Sequence, residues 1–252
     1  MRMIEKIKAK ARANVKRIVL PEGDEPRTIE AAETIRREGI AEPILISGDF
    51  ARTKADEYAA ALYELRKAKG LTEEGAAKLV ADPMYYGMMM VKQGDADGLV
   101  SGAIHSTGDM LRPALQIVKT RPGMKLVSSS FLMECPDRSL GEDGLLVYAD
   151  CVVNPCPNAE ELAHIAIASA ETARTLCGKV DAILLTGGLL RFPDVEETIR
   201  KRCGFIAPIA SYPGEMEQEA MALPTLKALR GELEPLTYTG RNVWDGFADI
   251  GL

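Results

Sequence analysis

Apolar positions along the chain follow two alternating patterns, which are short apolar runs and longer segments with apolar residues three and four apart. The short runs predict strands, and the longer segments predict amphipathic helices. The predicted strands are 17–20, 43–46, 98–101, 126–130, 145–149, 182–185 and 206–211. The predicted helices are 28–38, 54–68, 73–78, 85–93, 107–120, 159–177, 194–202 and 217–230. This alternation indicates an α/β fold, in which helices flank a layered and mostly parallel sheet.

The segment from Ser101 to Thr107 joins a predicted strand to a predicted helix and is rich in glycine and hydroxyl residues. A glycine such as Gly102 lets the backbone approach a ligand, and the first N–H groups of a helix lie unpaired at the positive end of its dipole. This arrangement is typical of an anion site, most often for phosphate. Arg112 lies near the start of the helix and would add a charge-assisted contact. The alternative is a simple helix cap, with Ser106 or Thr107 as N-cap and Arg112 in solvent.

Charge and composition narrow the classes of function. The 252 residues carry a net charge of −6, and the sequence has no basic stripe of the kind that nucleic-acid binding needs. No apolar run reaches the ~18 residues of a membrane span. The five cysteines form no CxxC pair, and no signal peptide precedes them. This predicts reduced thiols in the cytoplasm, without disulfides or a metal site.

Cys151 follows an apolar strand and is a candidate nucleophile. A nucleophilic thiol needs an activating base, and the sequence ties neither His105 nor His164 to it. Free cysteine is most often a small core residue. We therefore interpret Cys151 as a buried or substrate-lining thiol.

Long collinear motifs in residues 1–178 resemble phosphate acetyltransferases, of the phosphate acetyl/butyryl transferase family. The motifs are Arg17-Ile18-Val19-Leu20-Pro21-Glu22-Gly23-Asp24-Glu25-Pro26-Arg27, Asp82-Pro83-Met84-Tyr85-Tyr86-Gly87, the Ser101–Thr107 loop, Arg112-Pro113-Ala114-Leu115-Gln116-Ile117, Val127-Ser128-Ser129-Ser130-Phe131 and Tyr148-Ala149-Asp150-Cys151-Val152-Val153-Asn154-Pro155. The resemblance implies a two-lobed α/β fold. It also implies reversible acyl transfer, in which acetyl-CoA and phosphate give acetyl phosphate and CoA.

The same resemblance implies the site residues. Ser106 and Arg112 are the candidate catalytic residues. The candidate substrate-binding residues are Ser101, Gly102, Ser106, Thr107, Arg112, Ser128, Ser129 and Asn154. For Ser128 and Ser129, the alternative is hydrogen bonding at a strand end. CoA enters as a substrate, no tightly bound cofactor or metal is implied, and a homo-oligomer is expected. The sequence leaves acetyl and butyryl groups open as the acyl group.

After Gly178 the motifs resemble a different family, the C-terminal part of butyrate kinase. They are Lys179-Val180-Asp181-Ala182-Ile183-Leu184-Leu185-Thr186-Gly187-Gly188-Leu189, Gly204-Phe205-Ile206-Ala207-Pro208-Ile209 and Tyr212-Pro213-Gly214-Glu215. In such kinases a strand, a Gly-Gly loop and a helix form an adenosine-binding corner, which corresponds here to Gly187 and Gly188. We therefore predict two regions, 1–178 and 179–252, which meet at Gly178-Lys179.

Two parts of the transferase pattern are missing from this sequence. One βα unit is deleted near residues 47–57, and the family's last quarter, which holds an essential Asp near an Arg and a Ser, is absent. Phe192-Pro193-Asp194 matches that quarter only locally, and its neighbours are kinase-like, so Asp194 is not assigned the role. We expect transferase activity far below that of a full-length relative. The alternatives are a non-catalytic remnant that binds acyl phosphate or CoA or acts as an interaction protein, and a nucleotide-binding kinase fragment.

Overall fold

The computed structural model describes residues 3–139, 144–214 and 217–234. The chain forms two compact units, Met1–Asp181 and Ala182–Leu252, and the boundary falls shortly after the predicted junction at Gly178. Part of the predicted second region, Glu215 and residues 235–252, lies outside the described residues. The separate origin of the two regions stays a prediction.

The predicted alternation of helices and strands is confirmed in both units. In the first unit the helices are α1 (Met3–Ala13), α2 (Pro26–Glu38), α3 (Ala55–Arg66), α4 (Glu73–Val80), α5 (Pro83–Gln93), α6 (Thr107–Ile117) and α7 (Ala159–Cys177). Its strands are β1 (Arg17–Leu20), β2 (Glu42–Leu45), β3 (Gly98–Leu99), β4 (Ser130–Glu134) and β5 (Leu145–Ala149). The second unit contains β6 (Ile183–Gly187), α8 (Pro193–Cys203), β7 (Ile209–Pro213) and α9 (Glu217–Leu229).

Strand pairing is mostly parallel, as the sequence predicts. β1 lies between β2 and β3, and Val19 is opposite both Ile44 and Leu99. β4 and β5 form an antiparallel pair, with Leu132 opposite Val147. In the connection between these two strands, residues 140–143 lie outside the described part. β6 and β7 are parallel and joined through α8.

The core of the first unit lies between the parallel sheet and the helices α3, α4 and α5. The methionines of α5 are buried and belong to this core. Gly87 allows α5 to approach the sheet closely, because a Cβ atom there would stand 2.8 Å from Leu99 Cδ1 and 2.9 Å from Val19 Cγ1. The sheet and its carboxyl edge are therefore held by a tightly packed helix.

One predicted strand, 126–130, is wrong in its position. The strand begins at Ser130, because the preceding residues form hydrogen bonds with the 150–154 loop. The Val127 carbonyl accepts from Asn154 Nδ2 at 2.9 Å, and the Ser129 N–H donates to Asp150 Oδ1 at 3.1 Å. Those groups are not available for a strand ladder.

The chain passes from β2 to α3 without an intervening helix or strand, and the deletion of a βα unit near residues 47–57 stays a prediction. The connection is held by Asp95, whose carboxylate accepts from Lys54 Nζ at 2.6 Å and from the Tyr58 hydroxyl at 2.5 Å. Tyr58 is 1% exposed. Burial and the bond to Asp95 both raise the pKa of Tyr58, so the hydroxyl remains a donor.

Replacing Tyr58 with phenylalanine is expected to lower the free energy of unfolding by about 1.5–3 kcal/mol. The change removes a hydrogen bond to a charged group and leaves the ring in place. Urea unfolding followed by circular dichroism measures the effect. Tyr63→Phe, on the same helix but only half-buried, is the control and should change stability by less than about 0.5 kcal/mol. Equal effects of the two changes would contradict this account of Asp95.

Candidate functional site

The candidate anion loop is held by a buried carboxylate that sequence reasoning did not assign. β1 and β3 are parallel neighbours, so Glu22, just after β1, and the loop after β3 meet at the same edge of the sheet. Glu22 Oε2 accepts from the backbone N–H of Gly102 at 3.0 Å and of Ala103 at 2.9 Å. Its Oε1 accepts from the backbone N–H of Ile104 and of His105, each at 2.9 Å.

The Glu22 carboxyl is 5% exposed, and its electrostatics are set by the loop. Burial acts to raise its pKa, but the hydrogen bonds from the loop's N–H groups and from the His105 ring outweigh burial, so the pKa lies far below the ordinary range. Glu22 is therefore ionised. Four N–H groups of the loop before α6 therefore donate to this internal carboxylate and are not available to a bound anion.

The end of the loop is a helix cap. Ser106 is the N-cap of α6, and its Oγ accepts from the Asp109 N–H at 3.2 Å and donates to Asp109 Oδ2 at 2.6 Å. Thr107 and Ser106 are exposed beside this cap. Ser101 Oγ is buried and has no hydrogen-bond partner among the described residues. The loop thus presents two exposed hydroxyls at the start of α6.

Arg112 is exposed on α6. Burial raises the pKa of Tyr85, and the Arg112 charge opposes that shift. Tyr85 donates to Gln116 Oε1 at 3.0 Å. Tyr85 and Gln116 line a cavity of about 300 Å³, together with Leu62, Arg66, Lys69, Gly70, Leu71 and Leu79. Two cationic side chains and three leucines thus share this cavity, and Arg112 is not among its lining residues.

A second polar cluster joins Ser129, Asp150 and Asn154. Asp150 Oδ2 accepts from the Asn154 N–H at 2.8 Å and also from Asn154 Nδ2. Its Oδ1 accepts from the Ser129 hydroxyl and from the N–H groups of Val152 and Val153, at 3.1 and 3.2 Å. Burial opposes these bonds, but they hold the pKa of Asp150 far below its ordinary range.

Ser128 lies beside this cluster and lines a cavity of about 560 Å³ between residues 120–130 and α7. Ser129 and Asn154 both contact Asp150, and their assignment with Ser128 to a substrate-binding site stays a prediction. For Ser129 and Asn154, the contacts found here serve the structure of the loop.

The contacts of the remaining candidate residues give less support for a role in catalysis or binding. Cys151 donates its Sγ–H to the Tyr148 carbonyl at 3.3 Å, and it has no basic partner among the described residues. His164 is buried, and within the residues that the structure describes neither of its ring nitrogens has a hydrogen-bond partner. Gly187 ends β6 and Gly188 begins a short 3₁₀ turn. Asp194 is exposed in the first turn of α8.

The signal that sequence reasoning missed is an acidic residue directly after an apolar strand. Glu22 follows β1 after one proline, and Asp150 follows β5 directly. Each carboxylate gathers backbone N–H groups from a loop that carries candidate residues. A carboxylate at a strand end is therefore a signal that it will bind the N–H groups of a nearby loop, but which loop depends on the order of the strands in the sheet.

Comparison with known proteins places the chain in a family. A family model described as phosphate acetyl/butaryl transferase matches residues 2–188. The phosphate acetyltransferase of Thermoanaerobacterium thermosaccharolyticum is 43% identical over 262 positions, which cover 94% of this chain and 80% of that protein. The phosphate acetyltransferase of Clostridium acetobutylicum is 47% identical over 199 positions, covering 70% of this chain and 60% of that protein.

Solved structures agree with the sequence relatives. A phosphotransacetylase from Streptococcus pyogenes superposes with a TM-score of 0.72 and 26% identity, covering 92% of this chain and 87% of that one. The EutD phosphotransacetylase from Staphylococcus aureus has a TM-score of 0.69 and 28% identity, covering 91% and 77%. The two superpositions cover 91% and 92% of this chain, which is more than residues 1–178 alone. Each superposition therefore includes part of the second unit.

These matches favour a transferase over a non-catalytic remnant or a kinase fragment. The butyrate kinase resemblance of the second region is absent from these findings and stays a prediction. The family match spans most of the chain, and the relatives' names and the similar structures agree with it. The chain belongs to the phosphate acetyl/butaryl transferase family.

Proposed function

We propose that this chain transfers an acetyl group between CoA and phosphate, by attack of the CoA thiol sulfur on the carbonyl carbon of acetyl phosphate. The observation that supports it most directly is the Glu22-held loop, which sets two exposed hydroxyls at the start of α6, with Arg112 on the same helix. Helix N-termini and guanidinium groups both stabilise phosphate oxygens. Family membership supplies the reaction class.

In this proposal Ser106, Thr107 and Arg112 bind the phosphoryl group, with Ser101 and Gly102 in the loop before them. Ser128, Ser129 and Asn154 line the facing part of the cleft. The reaction needs positive charge for the leaving phosphate and donors for the carbonyl oxygen as it becomes negative. Arginine supplies the charge, and hydroxyl or amide groups supply the donors.

The other expectations from the sequence complete the proposal. CoA and acetyl phosphate act as substrates, the protein works in the cytoplasm, and it assembles as a homo-oligomer. No described helix has the length and apolar character that a membrane crossing requires. A coupled assay of acetyl-CoA formation from acetyl phosphate and CoA tests the function, with a full-length relative beside it. We expect turnover that is measurable but far below the relative's, and no turnover would contradict the proposal.

Replacing Arg112 with alanine is expected to weaken acetyl phosphate binding by about 1.5–3 kcal/mol, because a charge-assisted hydrogen bond is lost. Isothermal titration calorimetry measures the dissociation constant directly. Arg174→Ala, an exposed arginine on α7, is the matched control and should leave the constant unchanged. Equal affinity of the Arg112 variant and the unaltered protein would remove Arg112 from the site.

A further inference from the structure

The Glu22 carboxylate fixes the orientation of the His105 ring as well as the loop. His105 Nδ1 lies 2.8 Å from Glu22 Oε1, which also accepts the His105 backbone N–H at 2.9 Å. An ionised carboxylate can only accept hydrogen bonds. The proton of the neutral ring therefore lies on Nδ1, and the lone pair lies on Nε2.

His105 Nε2 is free to act on a ligand. It has no hydrogen-bond partner within the described residues, and the His105 side chain is 30% exposed. His105 directly precedes Ser106, so its ring belongs to the same loop as the proposed phosphate-binding hydroxyls. A histidine whose second nitrogen is held by a carboxylate is the usual arrangement of a general base.

The other acids of the two loops are poor bases. Glu22 and Asp150 both accept several hydrogen bonds, and those bonds keep their pKa values low. A carboxylate that is stabilised in its charged form has little tendency to take a proton. His105 keeps an unshared electron pair on Nε2, because the Glu22 carboxylate holds the ring proton on Nδ1.

We propose that His105 is the proton acceptor for the CoA thiol in this chain and that Glu22 is its positioning residue. This rests on the proposed transferase function. His105 Nε2 takes the thiol proton while the sulfur forms a bond to the carbonyl carbon. The carbon–oxygen bond to phosphate then breaks, and the imidazolium returns the proton to the leaving phosphate. Atoms and charge balance without any further reactant.

Four charged groups besides Glu22 lie on α6, which follows the loop, and at the start of α2, which contacts it. Asp109 lies on α6, within electrostatic range of the His105 ring, and Arg112 lies on the same helix. From the start of α2, Arg27 donates to the Ala103 carbonyl at 2.8 Å and pairs with Glu25 at 2.5 Å. Two acids and two arginines thus contribute charges of opposite sign beside the loop.

The first test replaces His105 with glutamine. General-base catalysis is worth about 10²–10⁴-fold in rate, so kcat for acetyl-CoA formation should fall by that range while KM for acetyl phosphate changes little. The acid limb of the pH profile of kcat should disappear, and added imidazole should restore part of the rate. His164→Leu is the control, because it replaces a buried ring without hydrogen bonds by an apolar group of similar size. It should leave the rate and pH profile unchanged.

The proposal would be overturned if His105→Gln left both kcat and the acid limb of its pH profile unchanged. The Glu22→Gln variant distinguishes a role of Glu22 in positioning His105 from a purely structural role. If Glu22 positions the ring, this variant should lower kcat and shift the acid limb of the pH profile. A general loss of folded protein would lower the rate without moving the pH profile.

The second test does not depend on turnover. The chain has two histidines, so ¹⁵N-detected imidazole spectra contain two rings, and His105→Gln assigns them. We expect the Nδ1–H form for His105 and a change in its Nε2 resonance when CoA is added. If the unaltered chain makes no acetyl-CoA, the proposed function fails. An Nε2–H form, or no response to CoA, overturns the inference instead.

Discussion

Replacing Glu22 with glutamine is expected to lower the free energy of unfolding of the first unit by about 3–5 kcal/mol, the range for breaking a buried charged network. Each carboxylate oxygen accepts two backbone N–H groups. In a glutamine side chain one oxygen becomes an NH₂ group, so in either orientation two backbone donors face another donor. Denaturant unfolding measures the change.

The matched control is Glu25→Gln. Glu25 is 19% exposed and pairs with Arg27, which is 69% exposed, and an ion pair that reaches the surface contributes about 0–1 kcal/mol. A Glu22 variant that is no less stable than the Glu25 variant would show that the loop does not depend on the carboxylate.

The pH dependence of stability provides a second check on the role of Glu22. The folded-state pKa of Glu22 is depressed, so its contribution is complete above the ordinary pKa of a glutamate and is lost as the pH falls below it. The acid-induced loss of stability should therefore be shallower in Glu22→Gln.

Asp150→Asn is expected to destabilise the first unit by about 2–4 kcal/mol and to disorder the 150–154 loop. The Asp150 carboxylate receives donors on both oxygens, from Ser129 on one side and from Asn154 on the other. An amide group cannot accept on both sides. Because Asn154 is oriented by this carboxylate, KM should rise together with the loss of stability.

Asp137→Asn is the control for this change. Asp137 also accepts an N–H and a hydroxyl, from Ser139 at 2.9 and 2.7 Å, but the pair is exposed. Its loss should cost less than about 1 kcal/mol. Loss of stability without a change in KM in Asp150→Asn would show that the cluster is structural and is not part of the cleft.

Most of the fold was predictable from local pattern. β1, β5 and α7 begin and end near the predicted residues, because apolar spacing and strong caps act over short distances. α5 begins at Pro83, two residues earlier than predicted, since Asp82 caps it through the N–H groups of Met84 and Tyr85. Strand 126–130 was wrong because its partners come from residues 150–154. The local sequence does not show whether these residues bond to a neighbouring strand or to the carboxylate of a distant loop.

The candidate site was predictable in its loops and not in its internal contacts. The run from Ser101 to Arg112 indicated a loop followed by a helix, and the structure has that loop between β3 and α6. The role of Glu22 depends on contacts 80 or more residues away, which arise only when β1 and β3 become neighbours. His105 looked unconnected in sequence for the same reason, although the two residues form one unit at the sheet edge.

The Glu22 carboxylate also has a consequence for the kinetics of ligand capture. Because an anion that belongs to the protein already occupies the loop's N–H groups, the loop has the same shape before and after a substrate arrives. Binding then requires no ordering of this segment, so it loses little conformational entropy there. Association should be limited by the encounter of the two molecules rather than by a preceding rearrangement, and its rate should rise linearly with acetyl phosphate concentration without reaching a plateau.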